Sequence, residues 1–99
     1  MLVFTHPACR GHDPGPDHPE SPERLRAVLD ALHGAFPEQL DWRQAPPAKL
    51  GELARVHDSA LIDLVLQPQT EPLRLLDMDT MTSPGSASAA LHAAGAGVA

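Results

Sequence analysis

Apolar and polar residues follow patterns along this chain that predict separate strands and helices. Leu2 to Phe4 is a short apolar run stopped by polar residues and proline, which predicts a strand. A helix is predicted to begin at Pro22, with Ser21 as its N-cap, and to end near Gly34. Its apolar residues recur at the spacing of one helical face, namely Leu25, Val28, Leu29 and Leu32.

The second half of the chain continues this alternation. The pattern predicts a strand over 40–45, a two-part helix over 48–56 and 58–66 with Asp58 as the second cap, a strand over 73–78, and an Ala-rich helix over 88–99. Strands alternating with helices favour an α/β fold with a parallel sheet. Three strands would leave that sheet open at its edge, so we expect it to be incomplete. Gly95 and Gly97 are expected to let another backbone approach the last helix closely.

Composition and charge restrict the classes of function. The chain has 99 residues, 42% of them hydrophobic, and a formal net charge of -6. An acidic chain lacks the basic surface that binds phosphate backbones, which argues against nucleic-acid binding. No apolar stretch approaches the length of a membrane span, and the start of the chain lacks the basic region of a signal peptide. The single cysteine, Cys9, fits a reducing compartment, so we expect a cytoplasmic protein.

The segment from His6 to Glu20 is rich in proline and in side chains that bind metals, and it is predicted to be a long loop. His6, Cys9 and His12 lie three residues apart and carry groups that zinc prefers, which makes them candidate metal ligands. The second pair of ligands usual in structural zinc sites does not follow. A surface loop whose side chains cap its own backbone is the alternative.

Two further motifs carry charged residues next to predicted elements. Arg24 lies one turn into the helix that His18-Pro19-Glu20-Ser21-Pro22 introduces, and an ordinary solvated charge is its alternative role. Asp79 follows a predicted strand, at the end of a sheet where α/β proteins bind ligands. From its spacing alone, an Asx-turn to its own backbone is the favoured role of Asp79.

The order of three motifs resembles the opening of histone deacetylases and their bacterial relatives, which include acetoin-utilisation proteins and acetylpolyamine amidohydrolases. The motifs are HPESPERL, ARVHDSALIDLV and DTMTSPGSASAALHAAGAGVA, after a first strand and a loop with His and Cys. The class II-like bacterial branch is the most similar. The resemblance implies the N-terminal part of one arginase-deacetylase domain, a three-layer α/β/α fold with a parallel sheet, which is truncated at its C-terminus.

The resemblance also implies an activity, namely removal of acetyl groups from acetyl-lysine or related acetylated amines by a zinc-dependent hydrolase. The family's zinc ligands and paired histidines have no counterpart in residues 1–99, so we expect this piece alone to be inactive. Asp79 corresponds to a carboxylate that binds the substrate backbone, in place of the Asx-turn. Arg24, with Pro22 beside it, corresponds to a basic position that supports the active site, and the His6–Glu20 loop would form part of the pocket mouth.

Two other classes of function stay open from the sequence. The chain could be a non-catalytic remnant or interaction module, or a small metal-binding module that uses His6, Cys9 and His12. Neither the substrate nor the oligomeric state follows from the residues.

Overall fold

The chain folds into short strands and helices that follow one another along its length. The computed structural model describes residues 1–16, 18–77 and 80–99. The elements are β1 (Leu2–Thr5), α1 (Pro22–Ala35), β2 (Asp41–Gln44), α2 (Leu50–Leu53), α3 (Ser59–Leu66), β3 (Arg74–Asp77), β4 (Thr80–Thr82) and α4 (Ser86–Val98). A 3₁₀ helix also forms over Pro7–Gly11, inside the segment predicted to lack regular structure. The predicted α/β class is confirmed.

The first sheet is parallel, as predicted. β1 pairs with β2, with Val3 opposite Trp42, and α1 connects the two strands. Backbone hydrogen bonds extend the pairing at both ends, from Asp41 N–H to the Met1 carbonyl (2.8 Å) and from Ala45 N–H to the Thr5 carbonyl (2.7 Å). A helical crossover is the connection that parallel neighbours require.

The predicted third strand does not join this sheet. β3 instead pairs antiparallel with β4, a strand that the sequence analysis did not predict, and Leu75 lies opposite Met81. The physical reason is the length of the connection. Only positions 78 and 79 separate the two strands, whereas a parallel pair needs a crossover of about a dozen residues. Two adjacent strands with so short a connection form a hairpin.

Two helices, α1 and α3, begin where the capping pattern predicted, whereas α4, predicted over 88–99, begins two residues earlier at Ser86. α1 starts at Pro22, although the Ser21 side chain makes no capping hydrogen bond, and it continues one residue beyond Gly34. Asp58 caps α3 as predicted, since its Oδ1 accepts from Leu61 N–H at 2.9 Å. The helix predicted over 48–56 forms only over the four residues of α2. Within the described ranges, no helix is long and apolar enough to cross a membrane.

The core is thin and built from small residues. Ala45, Ala48 and Ala89 are the buried hydrophobic residues, and no large side chain in the described part of the chain is fully buried. α4 packs against the segment after β2, where Ala48 N–H donates to the Leu91 carbonyl at 2.9 Å. A Cβ at Gly95 would overlap the Pro46 carbonyl, so the predicted close approach is confirmed there. The prediction of a close approach is wrong at Gly97, because a Cβ there would meet nothing within 4 Å.

Two side-chain pairs lie on β2. The Trp42 ring stacks on His33 of α1, with ring centroids 4.1 Å apart. Arg43 binds both carboxylate oxygens of Asp41, at 2.8 and 3.2 Å. The hydrogen bond from Arg43 holds the pKa of the Asp41 carboxyl below its ordinary value. Both charges are exposed, so water screens the pair and it contributes little to stability.

Candidate functional site

The His6–Glu20 loop lies against the turn between β4 and α4. Its first part is ordered by local contacts, because the His6 imidazole accepts from Ala8 N–H at 3.0 Å and the His6 carbonyl accepts from Cys9 N–H at 3.0 Å. Pro7 occupies the first position of the 3₁₀ helix, where a missing N–H has no cost. These contacts direct the chain towards the start of α4.

Two serines hold the middle of the loop, namely Ser83 in the turn before α4 and Ser86, the first residue of α4. The Ser83 hydroxyl accepts from Asp13 N–H at 2.9 Å and donates to the Gly11 carbonyl at 3.0 Å. The Ser86 hydroxyl accepts from Ser83 N–H at 2.8 Å. Ser83 is 7% exposed and Ser86 6%, so these bonds are shielded from competing water.

His12 connects the same serines to the end of the loop. Its Nδ1 lies 2.6 Å from Ser86 Oγ, and its Nε2 lies 3.4 Å from Glu20 Oε2. The Glu20 carboxylate can only accept, which favours a proton on Nε2. Nδ1 then accepts from the Ser86 hydroxyl at 2.6 Å, a shorter contact than the 3.2 Å between the Ser86 and Ser83 hydroxyl oxygens. The Ser83 proton is already used, because a carbonyl such as that of Gly11 cannot donate.

A close backbone approach and a stacked pair of rings also hold the loop against α4 and the turn before it. The Gly11 and Gly85 backbones approach so closely that a Cβ at Gly85 would overlap the Gly11 carbonyl. The His6 ring stacks on His92 of α4, with centroids 3.7 Å apart. His92 Nδ1 donates to the Ser88 carbonyl at 2.7 Å, which fixes the orientation of that ring. Glycine at position 85 is therefore a steric requirement of the docked loop.

His12 lines two open clefts of the described structure. One, of about 380 Å³, is lined by His12, Cys9, Glu20, Arg24 and Pro22 among others. The other, of about 340 Å³, also contacts His12 and Cys9 but is mainly apolar, with residues of β4 and α4. The position of His12 therefore shapes both clefts.

The predicted site residues have different outcomes. Arg24 is exposed and lines the first cleft with Pro22, the first residue of α1. Their supporting role stays a prediction. Asp79 lies outside the described residues. Ser83, Ser86 and His92 were not predicted as site residues. Nothing in the local pattern of Ser83-Pro84-Gly85-Ser86 indicates that its hydroxyls face a loop some 70 positions earlier.

The predicted metal ligands do not form a metal site in the described structure. No group of three His, Cys, Asp or Glu side chains within residues 1–16, 18–77 and 80–99 is arranged to hold a metal ion. His6 Nδ1 accepts from a backbone N–H, and the two nitrogens of His12 face Ser86 and Glu20. His6 and His12 therefore diverge, because the 3₁₀ helix directs His6 to His92 and His12 to Ser86, while Cys9 lines the same two clefts as His12.

Comparison with known proteins gives a consistent family. The profile of the histone deacetylase domain matches residues 18–99. Among solved structures, the chain is similar to the HD domain of HDA15, with 30% sequence identity and a TM-score of 0.80. The similarity covers 97% of this chain and 30% of that one, so the chain spans under a third of the structure that it matches. No curated protein matches the chain.

Proposed function

Because the chain belongs to the histone deacetylase family, we propose that it forms the N-terminal part of a deacetylase domain that hydrolyses acetyl-lysine or related acetylated amines. The family match over residues 18–99 is the observation that carries this proposal. The similarity to the HDA15 domain supports it, since almost the whole chain superposes on part of that fold.

In this proposal the chain supplies one side of the substrate entrance. Asp79 binds the amide N–H groups of the substrate, as a carboxylate at the end of a strand is able to do. Arg24 and Pro22 support the site from the start of α1, where they line the first cleft together with His12. The His6–Glu20 loop contacts the substrate at the pocket mouth.

Zinc is the metal that the family implies, and the described residues do not fit it. They contain no group of three suitable ligands, and the sequence has neither an adjacent His pair nor an Asp-x-His motif. We therefore propose that the zinc ligands lie outside residues 1–99. Bound zinc would polarise the acyl carbonyl and activate water.

The finer aspects of the proposal rest on the sequence. The HPESPER and SPGS motifs favour the class II-like bacterial branch, which includes acetoin-utilisation proteins. The proposed substrate is a protein acetyl-lysine or a small acetylated amine. A lone Cys9 favours a reducing compartment such as the cytoplasm. The net charge of -6 disfavours nucleic acid as a partner.

The test is an assay of the complete reading frame that contains these residues. Release of acetate from an acetyl-lysine peptide is measured with and without a zinc chelator, next to residues 1–99 alone. We expect the product of the complete reading frame to release acetate, to lose this activity with the chelator and to regain it when zinc is added. We expect residues 1–99 alone to release no acetate. An inactive long product with intact folding would contradict the proposal and favour a non-catalytic interaction module.

Asp79 has its own variant within the same assay. D79N keeps the size of the side chain but removes the charge that accepts from substrate N–H groups. We expect a rise in KM of about tenfold or more, since a hydrogen bond to a charged group contributes about 1.5–3 kcal/mol. The control is D63N, which changes an exposed carboxylate on α3. Equal KM values in D79N and the wild type would remove Asp79 from the substrate site.

A further inference from the structure

We propose that His12, Ser83 and Ser86 form an anchor that positions the His6–Glu20 loop and so determines how tightly the acetylated substrate is held. This loop anchor is defined by those three side chains and by the backbone groups of Gly11 and Asp13 that they bind. The inference rests on the proposed deacetylase function.

The first argument is that the loop anchor is a closed hydrogen-bond network. Ser83 Oγ accepts from Asp13 N–H and donates to the Gly11 carbonyl, so both adjacent stretches of loop backbone are held by one hydroxyl. Ser86 Oγ accepts from Ser83 N–H and lies 2.6 Å from His12 Nδ1. Each member thus has a partner for its proton and for a lone pair. Such a network favours one position of the loop over others.

The second argument is the burial of the two hydroxyls. Ser83 and Ser86 are 7% and 6% exposed, whereas Gly11 and Asp13 of the loop lie at the surface. If the loop moves away, its own N–H and carbonyl groups gain water, whereas the Ser83 and Ser86 hydroxyls, 3.2 Å apart, lose their loop partners and keep only each other. The cost of that loss favours the docked position.

The third argument is where the loop anchor lies. His12 lines both the cleft that contains Arg24 and the apolar cleft beside β4 and α4. Moving His12 would change the walls of both clefts at once. A change of shape at the entrance alters substrate binding, while the proposed zinc chemistry takes place elsewhere. The loop anchor should therefore affect KM and substrate choice more than kcat.

Two substitutions of His12 separate the loop anchor from its contact with Glu20. H12N places a carboxamide near the position of Nδ1 and can keep the hydrogen bond to Ser86. H12Q reaches instead towards Glu20, where Nε2 lies, and loses the Ser86 partner. S86A removes the same bond from the other side and, in addition, the oxygen that accepts from Ser83 N–H. H57N is the control, because His57 is exposed and lines neither of the two clefts that His12 lines.

Two measurements in the complete protein decide the question. We expect H12Q to raise KM for an acetyl-lysine peptide about two- to tenfold, the effect of one hydrogen bond, and S86A to raise it at least as much, with kcat within about twofold in both variants. Amide exchange over residues 9–15 should accelerate by a similar factor. In H12N, both KM and the exchange rate over residues 9–15 should stay at their wild-type values. A KM and an exchange rate that do not change in H12Q and S86A, or equal losses in H12N and H12Q, would overturn the proposal.

Failure of the deacetylase proposal gives a different result. In that case the wild-type protein itself is inactive, while the exchange measurement still tests whether the loop anchor holds the loop. A fall in kcat with unchanged KM in H12Q would overturn the positioning role and leave the deacetylase proposal intact. Thermal denaturation of each variant is measured in parallel. A general loss of folding would lower the melting temperature and accelerate exchange at all amides, not only over residues 9–15.

Discussion

Ser21 and Asp58 both precede helices, and of these two only Asp58 makes a side-chain hydrogen bond to its helix. Asp58 Oδ1 accepts from Leu61 N–H at 2.9 Å, whereas Ser21 contributes its carbonyl, which accepts from Arg24 N–H at 3.1 Å. We expect D58A to lower the free energy of unfolding by about 1 kcal/mol and S21A by only a few tenths. Urea denaturation of both variants measures the difference. An equal loss would mean that the Ser21 hydroxyl caps α1 in solution.

The sequence indicates which residues carry chemistry better than it indicates their partners. Histidines and acids in the His6–Glu20 loop were identifiable from residue type, but their spacing suggested convergence on a metal. The 3₁₀ helix separates His6 from His12, and a single turn of that kind leaves no periodic pattern. Ser83 and Ser86 belong to the most common turn residues, so their burial against Gly11 follows only from tertiary packing.

At the scale of elements, the two glycines of α4 differ in their surroundings and give a matched pair of substitutions. Gly95 lies against the Pro46 carbonyl, and Gly97 faces open space. G97A should raise the stability by up to about 1 kcal/mol, because alanine favours a helix over glycine. G95A has the same helical gain but forces the 46–48 segment away, and we expect a net loss of about 1–3 kcal/mol.

Thermal denaturation of the two alanine variants in the complete protein tests this difference. G95A should melt below the wild type and G97A at or above it. A G95A variant that is as stable as G97A would show that α4 does not pack closely on the segment after β2.

Local patterns predicted most elements, and the pairing of strands was the main failure. Capping residues and apolar spacing gave α1 and α3, since these signals act within a few residues. The crossover through α1 made β1 and β2 parallel neighbours, as expected. The hairpin of β3 and β4 was missed because Thr80-Met81-Thr82 is short and reads equally well as a turn.

At the scale of the whole molecule, the described surface retains much apolar area. Leu50 is 63% exposed and Leu75 60%, and the buried hydrophobic residues are all alanines. The parallel sheet has two strands, although parallel sheets are normally covered on both faces. The chain also spans only 30% of the HDA15 structure that it matches. These observations together indicate a surface that the rest of a deacetylase domain would cover.

Residues 1–99 alone should therefore fold with little cooperativity. Small alanine cores contribute little apolar burial, and the stability of any domain is a small difference between large terms. We expect a broad thermal transition in which Trp42 fluorescence and far-UV circular dichroism do not coincide, together with binding of an apolar dye. The complete protein should show a single sharp transition and little dye binding. A sharp, coincident and reversible transition for residues 1–99 would show instead that the exposed leucines need no cover, because the short core suffices for two-state folding.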